Sequence, residues 1–266
     1  MLVKSHGLGN DYLVADPAEL PFEVSPARVR LLCDRHRGVG SDGLLLLDAT
    51  WAFGLRILNP DGSEAEKSGN GIRIFARWLV DTGRAREPRF VVHTPGGDVP
   101  VEVAGDSVLA DMGVARVSEP VGLALADGGS IEAVAVDVGN PHCVVPRAHL
   151  DVRELRRLGP EIETHATFPG RTNVQLARAL DRGRIELLIW ERGAGETQAS
   201  GSSACAAFAA LHHLGQVDDA VTAAMPGGQL DLRLDERGHI WMRGPVEEVA
   251  RIILSPDLIA RLRALP

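Results

Sequence analysis

The strongest constraint on this chain is that it carries one short pattern twice. Residues 64–71 read Glu-Ala-Glu-Lys-Ser-Gly-Asn-Gly and run into the apolar Ile72, Ile74, Phe75, Trp78, Leu79 and Val80. Residues 196–203 read Glu-Thr-Gln-Ala-Ser-Gly-Ser-Ser and run into Ala204, Cys205, Ala206, Phe208 and Leu211. Each copy has a glutamate, three residues, then Ser-Gly opening a predicted helix, and Ser68 and Ser200 stand 132 residues apart in a chain of 266. Two lesser echoes follow the same order: Pro95-Gly96-Gly97 with Pro226-Gly227-Gly228, and Gly9-Asn10 with Gly139-Asn140. Gly-rich turns resemble one another wherever they occur. Three landmarks in one order and at nearly one offset instead indicate a duplicated unit about half the chain long.

Short alternating runs fill both halves: 90–93, 99–103, 107–112, 131–138, 185–190, 230–234 and 239–242. Gly, Pro, Asp and Asn separate them, which predicts many strands joined by turns. Residues 28–35 and 151–158 carry helical periodicity with charged faces and read as surface helices. The helices after Ser68 and Ser200 differ, because their apolar residues spread nearly all the way round and such a helix must be enclosed. A curved sheet wrapped once around each is the simplest enclosure. The expected fold class is therefore α+β, with two pseudo-symmetric halves, each a strand-rich barrel-like sheet around a central buried helix, and an active site in the cleft between them. Ser118-Glu119-Pro120 interrupts the alternation. It sets the expected division at residues 1–117, with the tail 253–266 crossing back, and 118–252.

A net charge of −8 argues against a nucleic-acid-binding surface. No apolar run approaches the roughly 20 residues that span a bilayer, so no membrane contact is expected and the cytoplasm is the expected location. Cys33, Cys143 and Cys205 have no paired spacing. Neither a disulfide framework nor a metal site is expected, and each reads as a small buried hydrophobe.

A reactive side chain at a helix start has a definite electrostatic use. Unpaired N–H groups and the helix dipole stabilise negative charge there, so they hold a carboxylate or favour an ionised acid. If two such starts serve one ligand, a proton can leave to one side and return from the other, which is what inverting a carbon centre without a cofactor requires. The surrounding loops, 6–11, 59–64, 140–142, 171–173 and 191–196, are rich in Asn, Asp, Gly and Arg. Asparagine offers donor and acceptor groups and arginine a carboxylate fork, a set that fits a small amino acid. The same residue types also populate ordinary turns.

Seven ordered stretches carry a resemblance over nearly the whole chain: 6–11, 35–43, 59–64, 68–73, 140–142, 171–174 and 190–197. On them the sequence resembles the diaminopimelate epimerases, pyridoxal-phosphate-independent enzymes whose fold is shared with proline racemases and phenazine-biosynthesis isomerases. The resemblance implies two similar halves, each a strand barrel around a helix, no cofactor, a homodimer, and conversion of the LL form of diaminopimelate to the meso form in lysine and peptidoglycan biosynthesis. It also implies that Asn10, Asn59, Asn140, Asn173 and Arg192 bind the substrate. Gly69, Asn70, Gly201 and Ser202 would present donors to its α-carboxylate, with His142 and Glu191 beside the reacting centre. Where some relatives have a substrate-contacting glutamine, this chain has Gly43.

The departure lies at the proton-transfer positions: the family uses one cysteine in each signature, and here Ser68 and Ser200 occupy those places. A thiol has a pKa of about 8.5, whereas an alkanol lies closer to water at about 15.7. Even a gap of roughly five units corresponds to about 7 kcal/mol at 1.36 kcal/mol per unit. A helix end supplies up to about 2 kcal/mol and does not close it. Three readings follow: an epimerase whose serines are assisted by His142 or Glu191, another isomerase or dehydratase of the same fold, or a binding protein without turnover.

Overall fold

The computed structural model describes residues 1 to 266. The first elements in chain order are β1 (Leu2–Gly7), β2 (Asn10–Ala15), α1 (Pro26–Cys33), β3 (Leu44–Asp48), β4 (Gly54–Leu58), β5 (Glu64–Ala65), α2 (Gly69–Asp81), β6 (Arg89–Thr94), β7 (Gly97–Ala104) and β8 (Ser107–Val114). There follow β9 (Arg116–Val117), β10 (Val121–Ala124), β11 (Ser130–Asp137), β12 (Pro141–Pro146), α3 (Val152–Glu163), β13 (Asn173–Asp181), β14 (Arg184–Glu191), β15 (Gly195–Thr197) and α4 (Gly201–His213). The chain closes with β16 (Ala220–Met225), β17 (Gly228–Leu234), β18 (His239–Pro245), β19 (Glu247–Ile252) and α5 (Pro256–Ala264). Packing divides it into Met1–Ala110 with Gly244–Pro266, and Asp111–Arg243.

The two units repeat one topology. In the first, β1–β2 pair antiparallel, β2–β3 parallel, β3–β4 antiparallel, β4–β6 parallel and β6–β7 antiparallel. In the second, β11–β12, β12–β13, β13–β14, β14–β16 and β16–β17 follow the same series. A parallel pair needs a crossover. Helices α1 and α2 supply it in the first unit, and α3 and α4 in the second. The match extends to single bonds: the turn N–H of Gly96 donates to Glu66 O at 3.0 Å, and that of Gly227 to Gln198 O at 2.8 Å.

The division expected at 117/118 and 252/253 differs from the observed one at 110/111 and 243/244. Residues 116–118 belong with the second unit because β9 pairs with β11 and Ser118 Oγ accepts the N–H of Ala135 at 3.1 Å. Strand β19 belongs with the first because it pairs antiparallel with β1, Leu2 opposite Ile252. The chain changes units inside the continuous strands β8 and β18, where no turn residues mark the change.

Helices α2 and α4 are enclosed as their all-round apolar character requires. Helix α4 touches β9, β11, β12, β13, β14, β16 and β17, while α2 packs on β1, β2, β4 and β7. Alanines 204, 206, 207, 209 and 210 let strands approach α4 closely, and Phe208 fills the remaining space with no exposed surface. Helices α1 and α3 cover the other faces. Val29 and Leu32 pack with Leu13, Leu44 and Leu46, while Leu155, Leu158 and Ile162 pack with Cys143, Val145, Val174 and Leu176. Each sheet is thus held between a buried helix and an amphipathic one. The start of the buried helix is the part left for chemistry.

Candidate active site

Ser68 is the N-cap of α2: its backbone is extended and its Oγ accepts the N–H of Gly71 at 3.1 Å. Ser200 caps α4 in the same way, accepting from Ser203 N at 3.5 Å. A capping serine is worth about 1 kcal/mol to a helix in its own right. Capping leaves the N–H groups of Gly69 and Asn70, and of Gly201 and Ser202, without intrahelical acceptors. Each helix start is therefore a donor cradle with a hydroxyl on its rim.

A chain of hydrogen bonds runs outward from the first cradle. The fully buried Arg73 donates to Asn70 Oδ1 at 2.8 Å and Asn70 Nδ2 donates to Asn10 Oδ1 at 3.1 Å. Asn10 Nδ2 donates to Asp42 Oδ2 at 2.9 Å, and Arg35 bridges Asp42 and Asp11 at 2.7 Å each. Burial would raise the Asp11 carboxyl, but hydrogen bonds and charges from Arg35 and Lys4 hold it below the ordinary carboxylate value. The chain fixes both amides with their carbonyl oxygens engaged. What Asn10 and Asn70 can still offer a ligand is N–H, which suits a carboxylate.

Tyr12, on β2 beside Asn10, brings its hydroxyl 3.3 Å from Ser68 Oγ. A Cβ at Gly43 would lie 2.7 Å from Tyr12 Cε1 and 2.6 Å from Leu58 O. A side chain at position 43 thus has no room here, because the tyrosine ring packs against that glycine. Asn59 closes its own turn through Nδ2 to Ser63 Oγ at 3.0 Å.

In the second unit His142 is 1% exposed on β12. Burial pushes its imidazole down to about 4, against the opposing pull of the Gln175 hydrogen bond and the Asp137 charge. The ring is therefore neutral near pH 7. Asn140 Oδ1 lies 3.0 Å from Nε2, and Gln175 Nε2 lies 3.0 Å from Nδ1. These partners assign the proton to Nε2. Gln175 Nε2 also donates to Ser203 Oγ at 3.0 Å, which ties the histidine to the first turn of α4. Both ring nitrogens are occupied and neither binds Ser200, whose hydroxyl neighbour is Ser202 Oγ at 3.4 Å.

The lowered value has a stability consequence. An unfolded histidine takes up its proton around pH 6.5, so the unfolded state binds more protons as pH falls from 6.5 towards 4. Stability that is present above 6.5 is expected to decline by about 3 kcal/mol across that window. Replacing His142 by asparagine should remove this decline from the pH dependence of urea unfolding.

Asn173 and Arg192 form a further group. Asn173 Nδ2 donates to Pro141 O at 3.0 Å, and its Oδ1 accepts the Arg192 N–H at 3.0 Å. Arg192 Nη1 reaches Gly170 O at 3.1 Å and its guanidinium is otherwise exposed. Glu191 accepts from Thr197 Oγ1 at 2.8 Å. Holding both loops is Glu163, at the end of α3. It accepts from Trp190 Nε1 at 2.8 Å and Gly193 N at 2.7 Å and pairs with Arg171, which adopts φ +61°.

The structure brings Ser68, Gly69, Asn70 and Asn10 together in the first unit, and Ser200, Gly201 and Ser202 in the second, with His142 and Asn140 joined to the start of α4 through Gln175. The sequence analysis missed Tyr12, Gln175, Asp42, Arg73 and Glu163. The repeat contained a signal for Tyr12: it stands two residues after Asn10, as His142 stands two after Asn140.

A probable proline racemase from Agrobacterium radiobacter superposes with a TM-score of 0.72 at 17% identity, covering 96% of this chain and 93% of that one. The fold is therefore that of the two-domain epimerases and racemases. The diaminopimelate epimerase family model matches residues 2–118 and 134–249. Diaminopimelate epimerase 2 of a Nostoc species is 43% identical over 277 residues, covering 97% of this chain and 96% of the relative. A diaminopimelate epimerase of Pseudomonas syringae pv. tomato is 39% identical, covering 92% and 95%. The chain belongs to the diaminopimelate epimerase family, an isomerase family.

Proposed function

We propose that the chain inverts the α-carbon of diaminopimelate, or of an amino acid of similar shape, by taking a proton at one serine cap and returning one at the other. The observation that supports this most is the matched pair of capped helix starts at the family's two proton-transfer positions. In this reading the N–H groups of Gly69, Asn70, Gly201 and Ser202 hold the α-carboxylate. Asn10, Asn59, Asn140, Asn173 and Arg192 bind the rest of the ligand, and Glu191 and the neutral His142 order the reacting centre. The step needs no cofactor: the Cα–H pair stays on carbon while the proton moves to oxygen. The His142 bonding pattern favours orientation over base assistance, so turnover is slow relative to a thiol enzyme. Family resemblance supports a homodimer working in the cytoplasm within lysine biosynthesis. No helix is long and apolar enough to cross a membrane.

The test is incubation with LL-diaminopimelate in deuterated water at high enzyme concentration. Slow appearance of the meso form carrying α-deuterium is expected. Absence of both inversion and deuterium uptake rejects turnover of this substrate, and uptake without inversion indicates a one-base isomerase.

A further inference from the structure

Tyr12 is the chain's one tyrosine and is 7% exposed. It occupies in the first unit the place His142 occupies in the second: each lies two residues past a Gly-Asn turn. Each lies at the start of a parallel pairing, which runs from Leu13 opposite Leu44 in the first unit and from His142 opposite Asn173 in the second. The two rings are engaged differently. The imidazole is bound to Asn140 and Gln175, whereas the phenol meets the capping hydroxyl at 3.3 Å. The hydroxyl that meets the cap of the second unit is another alkanol, Ser202, at 3.4 Å.

We propose that Tyr12 is the proton relay of Ser68. A phenol ionises at about 10 and an alkanol nearer water's 15.7, so charge resting on Tyr12 rather than on Ser68 is favoured by roughly five orders of magnitude. Ser68 Oγ already accepts the Gly71 N–H, which leaves it able to pass a proton between the phenol and a ligand. In the protonating direction the Ser68 O–H bond breaks and its proton joins the electron pair on Cα. The Tyr12 O–H bond breaks as its proton joins Ser68 Oγ, and the negative charge ends on the phenolate. Deprotonation runs the same transfers backwards. Tyr12 acts through Ser68 and is a positioning residue rather than one that touches substrate. The two half-sites are then chemically unequal, with Ser68 the more competent.

This inference rests on the proposed two-sided proton transfer, and its test separates the two. Wash-in of α-deuterium is measured separately from the LL and the meso form for the unaltered enzyme and Tyr12→Phe. The expected result is a loss of about 100-fold or more for the form served by Ser68 and little change for the other, with KM nearly unchanged. Equal losses for both forms, or none, would overturn the relay while leaving the epimerase reading intact. No wash-in by the unaltered enzyme from either form would overturn that reading and the relay with it. Because there is one tyrosine, biosynthetic replacement by fluorotyrosine, a more acidic phenol of nearly the same size, alters this position alone. A shift of at least about threefold in Ser68-side exchange is expected, and an unchanged rate would mean that the phenol only packs.

Discussion

Replacing both capping serines by cysteine, Ser68→Cys with Ser200→Cys, is expected to raise the rate of α-carbon inversion by about 10³- to 10⁵-fold. The difference between a thiol at about 8.5 and an alkanol is worth about 7 kcal/mol on a gap of roughly five units, or about five decades in rate. Imperfect seating of the larger sulfur takes back part of it. The cap chemistry survives the change, because a thiolate accepts the same N–H groups that Gly71 and Ser203 now donate to oxygen. The single replacements should differ. Ser200→Cys is expected to gain more than Ser68→Cys, since Ser68 already has a phenol 3.3 Å away. Inversion rates of the two single variants and the double variant, measured at one saturating substrate concentration, check the order. A double variant no faster than the unaltered protein on any amino acid would place the chemistry elsewhere.

Glu163→Ala is expected to cost about 3 kcal/mol of stability and to weaken ligand binding, although Glu163 touches no proposed ligand group. Removing the carboxylate takes away the acceptor of the part-buried Trp190 N–H and of the Gly193 N–H, and leaves the half-exposed Arg171 without its charge partner. Arg171 holds a left-handed φ of +61° that few non-glycine residues adopt unaided. With the tie gone, the loops carrying Asn173 and Arg192 lose their common anchor. Burial alone would raise the Glu163 carboxyl, but the Trp190 and Gly193 N–H groups and Arg171 lower it below its ordinary 4.5. A carboxyl lower in the folded state stabilises the fold above its unfolded value and loses that contribution as pH falls through the folded one. Glu163→Gln should therefore show less loss of stability below pH 4.5 than the unaltered chain. Urea midpoints across that range read both effects, and equal acid sensitivity would contradict the role assigned to the carboxylate.

Much of this architecture was legible because local patterns decide it. Alternation marked the strands, and the all-round apolar runs after Ser68 and Ser200 required enclosure. Ser-Gly ahead of such a run marked both caps. The unit boundaries were not legible, since the chain passes between units inside β8 and β18 and the Ser118–Pro120 break only links β9 to β10 within the second unit. Nor were the supporting residues. Tyr12 meets Ser68 across 56 positions, Gln175 meets His142 across 33 and Glu163 meets Trp190 across 27. Such pairings are set by strand order and helix placement, which no short window of sequence contains. Glu163 in particular lies beyond the predicted helix 151–158, and its role is visible only where the longer α3 meets Trp190.

The division of labour between the two serines is read most directly by comparing Ser68→Ala and Ser200→Ala for α-deuterium wash-in from each epimer of diaminopimelate. Loss of one cap costs about 1 kcal/mol and leaves each variant folded. Each variant is expected to exchange one epimer only, the two variants choosing opposite epimers, with inversion abolished in both. Inversion persisting in either variant, or both variants sparing the same epimer, would contradict a proton transfer shared between Ser68 and Ser200.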